Sequence, residues 1–160
     1  MPNQRMMLTW LVLGASAALM VGCTPSDPLP PNSAWHDRMG GLLSDPQGQG
    51  GASGDFIAES RNASVTLASV TAGSHDVLAV CTGVEVMRLT VSGLGQSGND
   101  RSPGGTLASA DIACGATLKL PVTIPAGGVI LTVRSAGGAG GWQFAIVSPG
   151  WSPTPTIFAR

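Results

Sequence analysis

The residues with the most chemistry on offer are the three cysteines, Cys23, Cys81 and Cys114. No CxxC spacing occurs, and no basic residue adjoins any of them to lower a thiol pKa, so redox chemistry is not indicated. The two histidines, His36 and His75, each precede an aspartate. A zinc site needs three or four converging ligands, and no spacing here supplies them. No GxSxG elbow is present to expose a serine nucleophile. Glu59 and Glu85 are the only glutamates, and neither sits where a paired carboxylate would be read. Gly93–Gly98 matches GxGxxG, but a dinucleotide site needs a helix next, and the turn-rich Asn99–Gly105 follows. The sequence therefore assigns no catalytic residue, no metal and no cofactor. The polar loop Gly93–Gly105, with Asn99, Asp100 and Arg101 at the tip, is either a ligand-binding element or a mobile connector.

Cys23 stands apart because of what precedes it. Arg5 and the initiating amine supply a short positive segment, and residues 8–22 are uncharged and mostly apolar. That run is shorter than the ~20 residues of a membrane span and fits the apolar core of a signal peptide. It ends at Met20-Val21-Gly22-Cys23, which resembles the lipobox of bacterial lipoproteins, with Met20 where leucine is usual. The resemblance implies cleavage after Gly22, lipidation of the Cys23 thiol, and attachment to the extracytoplasmic face of the cell membrane. Two or more acyl chains hold a protein stably on a bilayer without a transmembrane helix.

Residues 23–54 read as a Pro- and Gly-rich tether. Pro25, Pro28, Pro30 and Pro31 favour extended backbone, and Gln47–Gly54 is a polar, flexible run. Between them, residues 33–43 can form a turn or two of helix, with Ser33 as cap and Trp35, Met39 and Leu42 or Leu43 on one face. The choice lies between a stretch docked loosely on the domain and a short partner-binding element.

From Asp55 the apolar pattern has period two, the mark of half-buried strands. Met87, Leu89 and Val91 share one face against Arg88, Thr90 and Ser92. Val129, Leu131 and Val133 oppose Ile130, Thr132 and Arg134. Trp142, Phe144 and Ile146 form a third inner set. Further strands are predicted within Phe56–Arg61, Ser64–Thr71 and Asp76–Thr82. The alternation of Asp111–Ile124 would make a strand of about 45 Å, so a break is predicted near Gly115, and Pro121 argues for an edge strand or a bulge. His75 falls in a predicted turn. About seven strands with no helix between them predict an all-β antiparallel sandwich over residues 55–148, immunoglobulin-like or jelly-roll, with a tail over 149–160.

With Cys23 assigned to lipid, Cys81 and Cys114 remain. An oxidising exterior favours joining them, and strand parity turns both inward, so a disulfide is predicted. The lipobox, the tether, Val80–Gly83, Cys114, Pro125–Gly128 and Gly141-Trp142 together resemble small exported lipoproteins of the actinobacterial type. The resemblance implies location and fold rather than activity.

The formal net charge is −1, and loss of residues 1–22 removes only Arg5, leaving seven basic against nine acidic residues. The charges are spread singly along the chain, which argues against nucleic acid as a partner. The expected protein is a membrane-anchored, non-enzymatic module that binds or organises a glycan, a small solute or a protein of the envelope. A hydrolase with a hidden site and a purely structural or stress-related envelope protein are the alternatives, and the oligomeric state is open. Intact-mass measurement of protein extracted from membranes is expected to give a chain starting at Cys23 with added acyl mass. A free thiol at 23, or a start elsewhere, contradicts the assignment.

Overall fold

The computed structural model describes residues 32–95 and 103–153. One helix, α1 (Ser33–Leu42), precedes eight strands: β1 (Gly50–Phe56), β2 (Asn62–Leu67), β3 (Gly73–Thr82), β4 (Val86–Leu94), β5 (Pro103–Ala113), β6 (Thr117–Ile124), β7 (Val129–Ser135) and β8 (Gly140–Val147). They form two four-stranded sheets, one in the order β1-β8-β3-β6 and the other β2-β7-β4-β5. Every pairing is antiparallel. The chain changes sheet at every step except the β4–β5 hairpin. Interleaved in this way, eight strands make a jelly roll, which settles the topology that periodicity left open.

The period-two pattern places the core. Met87, Leu89, Val91, Val129, Leu131, Val133 and Ile112 of the second sheet face Val77, Ala79, Cys81, Phe144, Ile146 and Ile124 of the first, all buried. Trp142 also lies inside, stacked on Phe144 with ring centroids 5.6 Å apart. Gly115 has φ +94° and turns the chain from β5 into β6 where the break was predicted. Pro121 sits on β6, an edge strand, the position in a sheet where proline is tolerated.

The disulfide joins Cys81, in β3, to Cys114, just beyond β5. It spans the two sheets where the chain crosses between them. Cys114 N donates to Glu85 O (3.0 Å) and Gly115 N to Cys81 O (2.9 Å), so backbone bonds frame the crosslink.

Several boundaries differ from the sequence reading. The tether does not extend to residue 54, because β1 occupies Gly50–Phe56 and pairs with β8. Its glycines read as flexibility but are there for close approach. A Cβ on Gly51 would strike the Phe144 carbonyl oxygen, and one on Gly54 would lie 2.6 Å from the Trp142 ring. Phe56 ends this strand rather than beginning one, and the chain then turns through an Ile57–Ser60 bridge. β5 begins at Pro103, inside the predicted loop. Its small residues Gly104, Gly105, Ala108 and Ala110 gave no alternation to read, and β4 meets β5 through a bulge near Ser92.

A second apolar layer covers the outer face of the first sheet. Leu78 and Val80 of β3 and Val147 of β8 pack with Leu43, Trp35, Met39 and Trp151. β3 is therefore buried on both faces. With Gly40 and Gly41 near its end, α1 has weak intrinsic propensity and depends on this packing. Its cap is Asn32 rather than Ser33, and the Asn32 amide donates to Asp55 Oδ1 (2.9 Å). The tail predicted over 149–160 is docked at its start: Gly150 N donates to Asp76 Oδ2 (2.8 Å), and Lys119 Nζ donates to Trp151 O (2.8 Å).

Replacing Cys81 and Cys114 together by serine is expected to lower unfolding stability by about 3–4 kcal/mol, the loop-closure value for a crosslink of this span. Denaturant unfolding checks it, and an unchanged midpoint contradicts the role given to the crosslink.

Candidate functional site

The two outer faces of the sandwich differ. On the first sheet, α1 and the segments flanking the strands occupy the surface. His36 Nε2 lies 3.1 Å from Asp55 Oδ1, a latch between α1 and β1. Asp45 accepts from Ser148 N (2.8 Å) and Gln47 N (2.9 Å). The Ser148 bond, foremost, holds its carboxyl below the usual aspartate range. Asp76 is buried and pairs with Lys119 at 3.2 Å. His75 lies in β3 rather than in a turn, buried, with Nε2 3.0 Å from Thr71 O. These polar groups fasten connecting segments to the sheet. Among the described residues no serine, threonine or cysteine side chain bonds either histidine, and no three His, Cys, Asp or Glu side chains group as for a metal.

Among the described residues, no second apolar layer like that on the first sheet packs on the outer face of the second. Register lines its residues into rungs that run across the four strands. One rung is Asn62, Arg134, Arg88 and Asp111; the next is Ser64, Thr132, Thr90 and Ser109; a third holds Thr66, Ile130, Ser92 and Thr106. The middle rung is four hydroxyls in a row. Ser64 Oγ lies 3.2 Å from Thr132 Oγ1, and Thr90 Oγ1 lies 3.4 Å from Ser109 Oγ. Ser109 Oγ also donates to Leu89 O (3.1 Å). Strands stand about 4.8 Å apart and successive rungs about 7 Å apart, so the face presents a regular grid of short polar groups. Ile130 is its one large apolar member, and it is buried.

Charge gathers at one end of this grid. Arg88 Nε lies 3.0 Å from Asp111 Oδ1, an exposed pair worth no more than about 1 kcal/mol. Arg134 is the direct cross-strand neighbour of Arg88. Ser135 N donates to Arg61 O (2.9 Å), which brings a third arginine to the same edge. Two clefts lie there. One of about 420 Å³ is lined by Glu59, Arg61, Asn62 and Arg134; one of about 280 Å³ is lined by Val86, Arg88, Asp111 and Arg134. Ser135 lines both, and its buried Oγ has no hydrogen-bond partner.

Of the residues singled out from the sequence, Cys81 and Cys114 are joined. Gly22, Cys23, Asn99, Asp100 and Arg101 lie outside the described residues. GxGxxG leads to strand β5 rather than to a helix. The arginine edge was missed because charges spread along the sequence are collected by register. The signal that could have found it was the shared polar face of Arg88, Thr90 and Ser92 with that of Thr132 and Arg134.

No protein-family model matches the chain, and no curated protein matches it. Among solved structures, a chain from the structure of infectious bursal disease virus Gx strain is similar, at 14% identity and a TM-score of 0.26 over 64% of this chain and 30% of that one.

Proposed function

We propose that this protein is a lipid-anchored, extracytoplasmic binding module, without enzymatic activity, that holds a polysaccharide of the cell envelope on the outer face of its second sheet. The observation that carries the reading is the uncovered hydroxyl rung Ser64–Thr132–Thr90–Ser109 with its arginine end. A protein partner would call for exposed aromatic or large apolar anchors, and this face offers none. A small solute would call for a concave, mostly apolar pocket, and a flat sheet face is a poor one. A hydroxyl-rich chain can exchange hydrogen bonds with successive rungs.

The docked helix bears on orientation. With lipid on Cys23, residues 24–32 give at most about 30 Å of chain before α1. Because α1 lies on the first sheet, the second sheet's outer face points to the opposite side of the sandwich, away from the attachment. The anchor then presents the grid outward, toward the envelope polymer.

The test uses the full mature chain with Cys23→Ser, made lipid-free, and cell-wall polysaccharide purified from the producing organism. The protein is expected to co-sediment with the polymer. The double substitution Ser64→Trp and Thr90→Trp, which covers the hydroxyl rung with bulk, should reduce the bound fraction at least tenfold while leaving thermal unfolding cooperative. Equal binding by the substituted protein, or none by either, refutes the reading.

A further inference from the structure

We infer that the end of the grid formed by Arg61, Arg88 and Arg134 is an oxyanion site, so that the polysaccharide held there is acidic, with carboxylate or phosphate on its repeat. This deepens the proposed function and rests on it.

Two observations point to it. The first is concentration of charge. The described residues hold five lysines and arginines, Arg38, Arg61, Arg88, Lys119 and Arg134, and three of them meet at this edge in a chain whose net charge is −1. Only Glu59 and Asp111 line the same clefts from the acidic side.

The second is unbalanced pairing. Like charges directly opposite on neighbouring strands are destabilising, yet Arg88 and Arg134 face each other across β4 and β7. Asp111 takes up Arg88 through both its carboxylate oxygens, at 3.0 and 3.5 Å. Arg134 and Arg61 form no ion pair among the described residues. Arg134 thus stands between two clefts with its charge uncompensated. An oxyanion there relieves the repulsion and gains the paired hydrogen bonds that a guanidinium makes to carboxylate or phosphate.

The Asn62 side chain, in the same rung as Arg134, borders the larger cleft. One rung further on, the four hydroxyls continue at sugar-hydroxyl height, so acid and neutral parts of one repeat can be read side by side.

The experiment measures binding of the lipid-free Cys23→Ser chain to four probes: polygalacturonate, poly(glycerol phosphate), neutral dextran, and vesicles of phosphatidylglycerol in phosphatidylcholine. Binding to one or both acidic polymers is expected, weakening as salt rises because exposed charges are screened, with dextran at least about tenfold weaker. Arg134→Gln should weaken acidic-polymer binding at least about tenfold, and Arg61→Gln should also weaken it. Arg134→Lys should recover part of the loss and flatten the preference between carboxylate and phosphate. Unchanged binding by Arg134→Gln, or equal binding of dextran, overturns the oxyanion site. Equal or tighter binding of the anionic vesicles overturns the polysaccharide assignment in favour of a lipid headgroup. If Arg134→Gln is without effect while the tryptophan-covered grid still loses the organism's own polymer, the site fails and the proposed function stands. If no polymer binds at all, both fail.

Discussion

The Cys81–Cys114 bond is the constraint on which the rest of the structure leans. The two sheets otherwise meet through apolar side chains, and apolar burial is strong but non-directional. It favours two sheets face to face without fixing how one slides over the other. The crosslink fixes that alignment at the end where β5 leaves the second sheet for β6 of the first. It pins the end of β5, three residues past Asp111, to β3, while the β4–β5 and β4–β7 ladders set Asp111 opposite Arg88 and Arg88 opposite Arg134. In a domain of this size, whose net stability is on the order of 5–15 kcal/mol, a crosslink of about 3–4 kcal/mol is a large fraction.

The second organising fact is asymmetry. A jelly roll has two outer faces. Here one is closed by α1, Leu43 and Trp151 over Leu78, Val80 and Val147. The other, among the described residues, carries serine, threonine and arginine. On the closed side the buried Asp76 and His75 find partners in strands or connecting segments. On the open side the hydroxyls pair with one another and Arg134 is left over. The side that is finished is the one on which α1 lies, and the arginine edge belongs to the other.

Much of this was legible in the sequence. The inner faces of β4, β7 and β8 followed residue by residue from period two, because each strand has one apolar neighbour face and one polar one. The break at Gly115 followed from the length a strand can reach, and the Cys81–Cys114 pair from parity. What escaped did so for physical reasons. β1 and the first half of β5 are rich in glycine and other small residues, whose contrast in hydropathy is too small to show a period. The helix has a weak sequence signal and is held by tertiary contacts. The candidate site escaped because it is a product of register: Arg61, Arg88 and Arg134 lie 27 and 46 residues apart (88 − 61 and 134 − 88), and only the pairing of β2, β7 and β4 makes them neighbours. The structure also corrects the impression of evenly scattered charge.

The central claim is that one face of the sandwich is closed and the other does the binding. Hydroxyl-radical footprinting, with and without acidic polysaccharide, tests it most directly, since Trp35 and Met39 report on the closed face and Arg88 and Arg134 on the open one. The account predicts protection by the polymer at Arg61, Arg88 and Arg134, with Trp35 and Met39 unchanged. Protection at Trp35 and Met39 with the arginines unchanged would place the binding surface on the helix side and contradict it.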